Sequence, residues 1–162
     1  MNKAIFLDRD GTINVDYGYV YQPEKLNFLP GVIEALQTFC NLGYQLIVIT
    51  NQSGIGRGYY TMDDALRFNQ AMSQRLSAEG ITVTDYYLCP HAPHEVCHCR
   101  KPQPTMVLQA LSKHHINPEE SYMFGDKASD VACGENSGIK SYLVTPEHNL
   151  LYWANQLKEK QI

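Results

Sequence analysis

Ala4-Ile5-Phe6-Leu7 runs directly into Asp8-Arg9-Asp10-Gly11-Thr12, so a short apolar stretch ends in two carboxylates and a glycine. Four consecutive apolar residues bounded by polar ones read as a strand buried on both faces, as in a parallel sheet. Open α/β sheets keep their chemistry beyond the carboxyl ends of the strands, which is where Asp8 and Asp10 fall. Residues i and i+2 of an extended strand point the same way, and Gly11 lets the chain turn sharply. Both carboxylates are therefore expected to crowd one small volume. Such a pair is tolerable when a divalent cation neutralises it or one member holds a proton. A solvated turn is the plainer explanation of the string by itself, and the rest of the chain decides between the two.

Further strand-like runs recur at 46–49, 83–88, 122–124 and 141–144, with helical spacing between them, which predicts an α/β fold with a doubly wound, mostly parallel sheet. Helices are expected after Pro30-Gly31, from a cap at Thr61 with Asp64 completing a capping box, near 105–114 and 128–137, and at the end around Leu150 to Leu157. No repeat, low-complexity tract or internal boundary interrupts residues 1–162, so one domain is expected. A hydrophobic fraction of 44%, a charged fraction of 19% and a net charge of −4 argue against disorder and against broad nucleic-acid binding. With no apolar run long enough to span a bilayer, a cytoplasmic protein and no membrane partner are expected, and the chain reads as a monomer.

Three more strings sit where a parallel sheet would bring them beside Asp8. Thr50-Asn51 ends a strand with a hydroxyl and an amide, Arg100-Lys101-Pro102 sets two cations before a helix, and Gly125-Asp126-Lys127-Ala128-Ser129-Asp130 ends another strand with a glycine turn and two acids. In this order they resemble the four motifs of the haloacid dehalogenase superfamily of phosphatases, over nearly the whole chain. That resemblance implies an aspartyl-phosphate mechanism in which Asp8 attacks phosphorus and Asp10 serves as acid, then base. A second carboxyl crowded by the first would have a raised pKa suited to that role. It further implies Mg²⁺ held by Asp8, the Asp10 carbonyl and Asp126, with Thr50 and Lys101 on the transferring group. Lys127 and Asp130 stand behind them, Asp130 orienting Lys101 or a metal-bound water.

Cys89-Pro90-His91-Ala92-Pro93-His94-Glu95-Val96-Cys97-His98-Cys99 has the spacing C-x-H-x₅-C-x-C. Three thiolates and an imidazole make a closed tetrahedral Zn²⁺ site, structural rather than catalytic. Too few apolar residues surround the cysteines for them to be a buried cluster. His91, His94 and His98 compete for the imidazole position, and the family pattern puts it at His91. The loop ends immediately before Arg100 and Lys101, so zinc would fix both cations. Cys40 and Cys133 fall in helical patterns and read as packing residues.

Within the superfamily, the zinc loop followed by Arg100-Lys101-Pro102 resembles two capless groups, one acting on D-glycero-D-manno-heptose 1,7-bisphosphate at the 7-phosphate and one on histidinol phosphate. The stretches 14–20 and 50–58 look more like the heptose group. Asp16, Tyr17, Gly18 and Tyr19 with Thr50, Asn51, Gln52 and Ser53 would then line a small sugar-phosphate substrate. Arg100 would recognise its distal part, with Arg57 a weaker candidate. Histidinol-phosphate hydrolysis is the alternative. A polynucleotide 3′-phosphatase is disfavoured by the acidic balance, and an inactive zinc-stabilised binding module by the intact Asp8, Asp10, Lys101 and Asp126.

Overall fold

In a computed structural model describing residues 1–162, the strands are β1 (Ala4–Leu7), β2 (Gln45–Asn51), β3 (Asp85–Cys89), β4 (Tyr122–Gly125) and β5 (Lys140–Leu143). They form one parallel sheet in the order β3-β2-β1-β4-β5. Every residue of β1 is buried, and its side chains alternate between two cores. Ile5 and Leu7 enter the larger cluster, while Ala4 and Phe6 enter the smaller one on the opposite face. The larger core is covered by α1 (Val32–Asn41), α3 (Met62–Ser77) and α6 (Leu150–Lys158), and the smaller by α4 (Thr105–Lys113) and α5 (Ala128–Asn136).

The chain steps from β1 through β2 to the β3 edge, then returns across β1 to β4 and β5. That reversal opens a crevice beside the end of β1. Leu7 pairs with Val48 on one side and Phe124 on the other, so Asp8 leaves the sheet between the ends of β2 and β4.

Strand bounds shift by one or two residues from the sequence reading, and one short helix is added. Strand β2 ends as expected with Thr50 and Asn51, which pair with Leu88 and Cys89, but starts one residue earlier at Gln45, opposite Ala4. Strand β3 starts at Asp85 rather than Val83, in register with Ile47. A four-residue helix α2 (Ser53–Gly56) is too short to leave a periodicity. The α3 start is as expected: Thr61 Oγ1 accepts from the Asp64 N–H at 3.1 Å, and Asp64 Oδ2 accepts from the Thr61 N–H at 2.9 Å. No helix is long and apolar enough to cross a membrane.

Candidate active site

Lys101 is the hub of the crevice. It is 3% exposed, and its Nζ stands 2.8 Å from Asp8 Oδ1 and 2.6 Å from Asp130 Oδ1. It also donates to the Ile49 carbonyl at 2.6 Å. Asp130 Oδ2 in turn accepts from the Lys127 N–H at 3.0 Å, at the start of α5. Burial would push Asp8 up, but the Lys101 ammonium and the hydrogen bond from Asp126 outweigh it, leaving the carboxyl below its usual range. Burial opposes the charge on Lys101 as well, yet Asp8 and Asp130 together hold the ammonium well above its ordinary value.

Asp126 behaves differently. Burial, its hydrogen bond with Asp8 and the charges of Asp8 and Asp130 push it up to about 7. Its Oδ1 is buried without a partner. Gly11, at φ 85°, packs so tightly here that a Cβ would overlap the Asp126 carboxylate. Carboxylate oxygens of Asp8, Asp126 and Asp130 lie within 4.8 Å of one another. An orphaned oxygen among crowded carboxylates is what a hard divalent cation such as Mg²⁺ satisfies, so these residues fit the ion that the family implies.

The expected Asp8–Asp10 crowding is corrected by the structure: the acids that press on Asp8 are Asp126 and Asp130. Beyond the strand Asp10 turns to Arg9, whose Nε and Nη2 donate to its two oxygens at 3.0 and 3.2 Å. Asn14 and Gln52 add donors at 3.0 and 3.1 Å.

Asp8, Asp10 and Lys101 line a cleft of about 230 Å³ together with Asp16, Gly18, Tyr19, Asn51, Gln52 and Ser53. Three residues expected around the substrate lie outside this lining. The exposed Tyr17 hydroxyl accepts from Asn27, Thr50 is buried and accepts from Gln52 Nε2 at 2.7 Å, and Arg100 has a buried Nη1 without a partner. Lys127 joins the lining, as do Tyr60 and Ser129, which the sequence reading missed. Tyr60 donates to Gln52 Oε1 and stacks on Tyr21. Nothing in its immediate sequence, Arg57-Gly58-Tyr59-Tyr60-Thr61, marks it as a site residue.

The loop after β3 gathers Cys89, His91, Cys97 and Cys99, whose ligand atoms lie within 4.8 Å of one another. His91 Nδ1 is 3.4 Å from both Cys89 and Cys99 Sγ, and Cys97 Sγ is 3.9 Å from Cys89 Sγ. Tetrahedral Zn²⁺ with ordinary bond lengths would separate its sulfurs by about 3.8 Å and a sulfur from a nitrogen by about 3.5 Å. The donor set fits, with the Cys89 and Cys99 sulfurs brought together inside it. His94 and His98 are exposed and outside the cluster.

A parallel five-stranded sheet with Asp8 at its central strand end, a buried lysine and a paired acid at the next strand defines a haloacid dehalogenase-like hydrolase. The HAD-hydrolase-like family model matches residues 98–151. A Helicobacter pylori protein named D-glycero-beta-D-manno-heptose-1,7-bisphosphate 7-phosphatase is 48% identical over 158 residues, covering 97% of this chain and 87% of its own. Its Escherichia coli K12 namesake is 42% identical over 158 residues, covering 89% and 83%. The D,D-heptose 1,7-bisphosphate phosphatase of B. bronchiseptica, solved with magnesium and phosphate, superposes with a TM-score of 0.89 at 27% identity over 99% of both chains. The chain belongs to this heptose-bisphosphate 7-phosphatase family of the haloacid dehalogenase-like hydrolases.

Proposed function

We propose that the protein hydrolyses the 7-phosphate of D-glycero-β-D-manno-heptose 1,7-bisphosphate through an aspartyl-phosphate on Asp8. The observation that carries this reading is the position of Asp8, buried at the end of the central strand, 2.8 Å from Lys101 and with its carboxylate within 4.8 Å of that of Asp126. The names of the relatives supply the substrate and its anomer.

In the first step an Asp8 oxygen bonds to phosphorus, the bond to the sugar oxygen breaks, and Asp10 gives that oxygen a proton. In the second, Asp10 takes a proton from water as the water oxygen bonds to phosphorus, and inorganic phosphate leaves a regenerated Asp8. Lys101 offers positive charge where the phosphoryl oxygens gather it, and Asp130 keeps that ammonium aimed. Asp8 and Asp126, with the Asp10 carbonyl, would hold Mg²⁺, which when bound offsets charge between carboxylate and phosphate. Asp16 to Tyr19 and Asn51 to Ser53 would surround the sugar and its 7-phosphate. Arg100, with its unpartnered Nη1, is assigned the 1-phosphate, and Lys127 is the second cation in the cleft. Thr50 acts through Gln52.

Cys89, His91, Cys97 and Cys99 are proposed to hold one structural Zn²⁺ in a reducing, cytoplasmic setting, in a monomer. The chemistry is tested by trapping: quenched turnover should leave an acid-stable, hydroxylamine-sensitive phosphate on the peptide carrying Asp8. Full turnover with no such adduct on any quench timescale would reject the covalent route.

A further inference from the structure

Arg9 is unexplained by the reaction as written. It is the largest fully buried side chain, at 0% exposure, and sits between the nucleophile and the acid/base in sequence. Burying a guanidinium is costly unless its donors are satisfied, and here they are spent on three segments. Nε and Nη2 form a fork on the two Asp10 oxygens at 3.0 and 3.2 Å. Nη1 donates to Asn69 Oδ1 of α3 at 3.0 Å, and Nη2 to the Val20 carbonyl, which ends the substrate-side loop, at 2.8 Å. The Phe68 ring lies 4.3 Å from Cζ.

We infer that Arg9 is the positioning residue for Asp10: it holds the acid/base carboxylate in one place by tying it to α3 and to the loop that covers the sugar. A carboxylate offers about four acceptor sites, and those of Asp10 are all taken, two by Arg9 and one each by Asn14 and Gln52. To reach a leaving oxygen, Asp10 must give up one donor. The charged, bidentate fork from a fully buried guanidinium is the strongest of these contacts, and the neutral Gln52 amide faces the cleft. Gln52 therefore yields while Arg9 stays. A lysine at position 9 keeps the charge but has no fork, so it cannot fix both oxygens and reach Asn69 together.

This inference rests on Asp10 being the acid/base, and the test separates the two claims. Phosphoenzyme formation is measured by rapid quench in the Mg²⁺-loaded full chain, with the heptose bisphosphate and with p-nitrophenyl phosphate, whose leaving phenolate needs no proton. Arg9→Lys, and Asn69→Asp, which sets a competing carboxylate on Arg9, should each slow the sugar reaction by about tenfold or more, part of what a positioned acid contributes. Both should leave the aryl reaction within about twofold of wild type, whereas general damage to the fold would slow both substrates alike. Equal losses on the two substrates, or no loss on either, would overturn the inference. Should Arg9→Lys fail to fold, Asn69→Asp decides alone. Asp10→Asn is the control: a substrate-selective loss there without one in the other variants removes Arg9 from the mechanism, and no selectivity in Asp10→Asn removes the acid/base assignment with it.

Discussion

The side-chain amide of Asn51 is paired to both backbone polar groups of Lys101, its Oδ1 accepting the N–H at 3.1 Å and its Nδ2 donating to the carbonyl at 3.4 Å. The end of β2 thus grips the residue that carries the buried ammonium. Asn51→Leu keeps the shape and leaves two backbone groups unpaired, which costs about 1–3 kcal/mol each where they are buried. A fall in kcat/KM of about ten- to a hundredfold is expected, with a lower denaturation midpoint, because a displaced cation loses its electrostatic grip on phosphate. Steady-state kinetics and urea melts check both.

Asp8→Asn should fold, keep its zinc and show no turnover or trapped phosphate. Lys101→Met should be far less stable, because it leaves Asp8 and Asp130 buried without their shared cation, and breaking such a pair costs about 3–5 kcal/mol. Paired thermal melts distinguish the two variants.

Purified under reducing conditions without chelators, the protein should carry about one zinc per chain, and Cys97→Ser should lose most of it. Gln52 and Gly56 donate to the Cys89 and Pro90 carbonyls at 2.8 Å, so metal loss should also loosen the wall of the cleft. Elemental analysis finding no zinc, or Cys97→Ser leaving the metal content unchanged, would overturn the zinc assignment.

Asp126 makes the metal-free protein pH-sensitive. Its folded-state value of about 7 lies above the ordinary 3.8, so the stability it contributes is full below the ordinary value and is lost as pH rises through the folded one. The Tm of metal-free protein should therefore decline between about pH 4 and about pH 7. Asp126→Asn should flatten that decline, and Mg²⁺ should offset it in the wild type. Calorimetry across this range, with and without Mg²⁺, gives the comparison.

The sheet was legible because a buried parallel strand leaves a continuous apolar run, as at Ala4 to Leu7, and helices leave stripes, as at Ala65, Phe68, Met72 and Leu76. The strand-end motifs placed Asp8, Lys101 and Asp126 in one crevice, because a parallel sheet aligns those ends. Side-chain direction was not legible. Whether Asp10 faces Asp8 or Arg9 depends on the turn at Gly11 and on α3, distant in sequence. Tyr60 and Asn69 reach the site through packing alone and carry no local signal. Arg100, expected on the substrate from its charge, stands outside the lining that its neighbour Lys101 joins, so its proposed contact with the 1-phosphate rests on its unpartnered Nη1.

Phosphorus NMR of D-glycero-β-D-manno-heptose 1,7-bisphosphate with Mg²⁺, beside histidinol phosphate at equal concentration, shows which phosphate the enzyme removes. A heptose-bisphosphate 7-phosphatase gives loss of the 7-phosphate signal, growth of inorganic phosphate, a persistent 1-phosphate, and a much smaller kcat/KM for histidinol phosphate. Release of the 1-phosphate, or faster turnover of histidinol phosphate, would contradict that assignment.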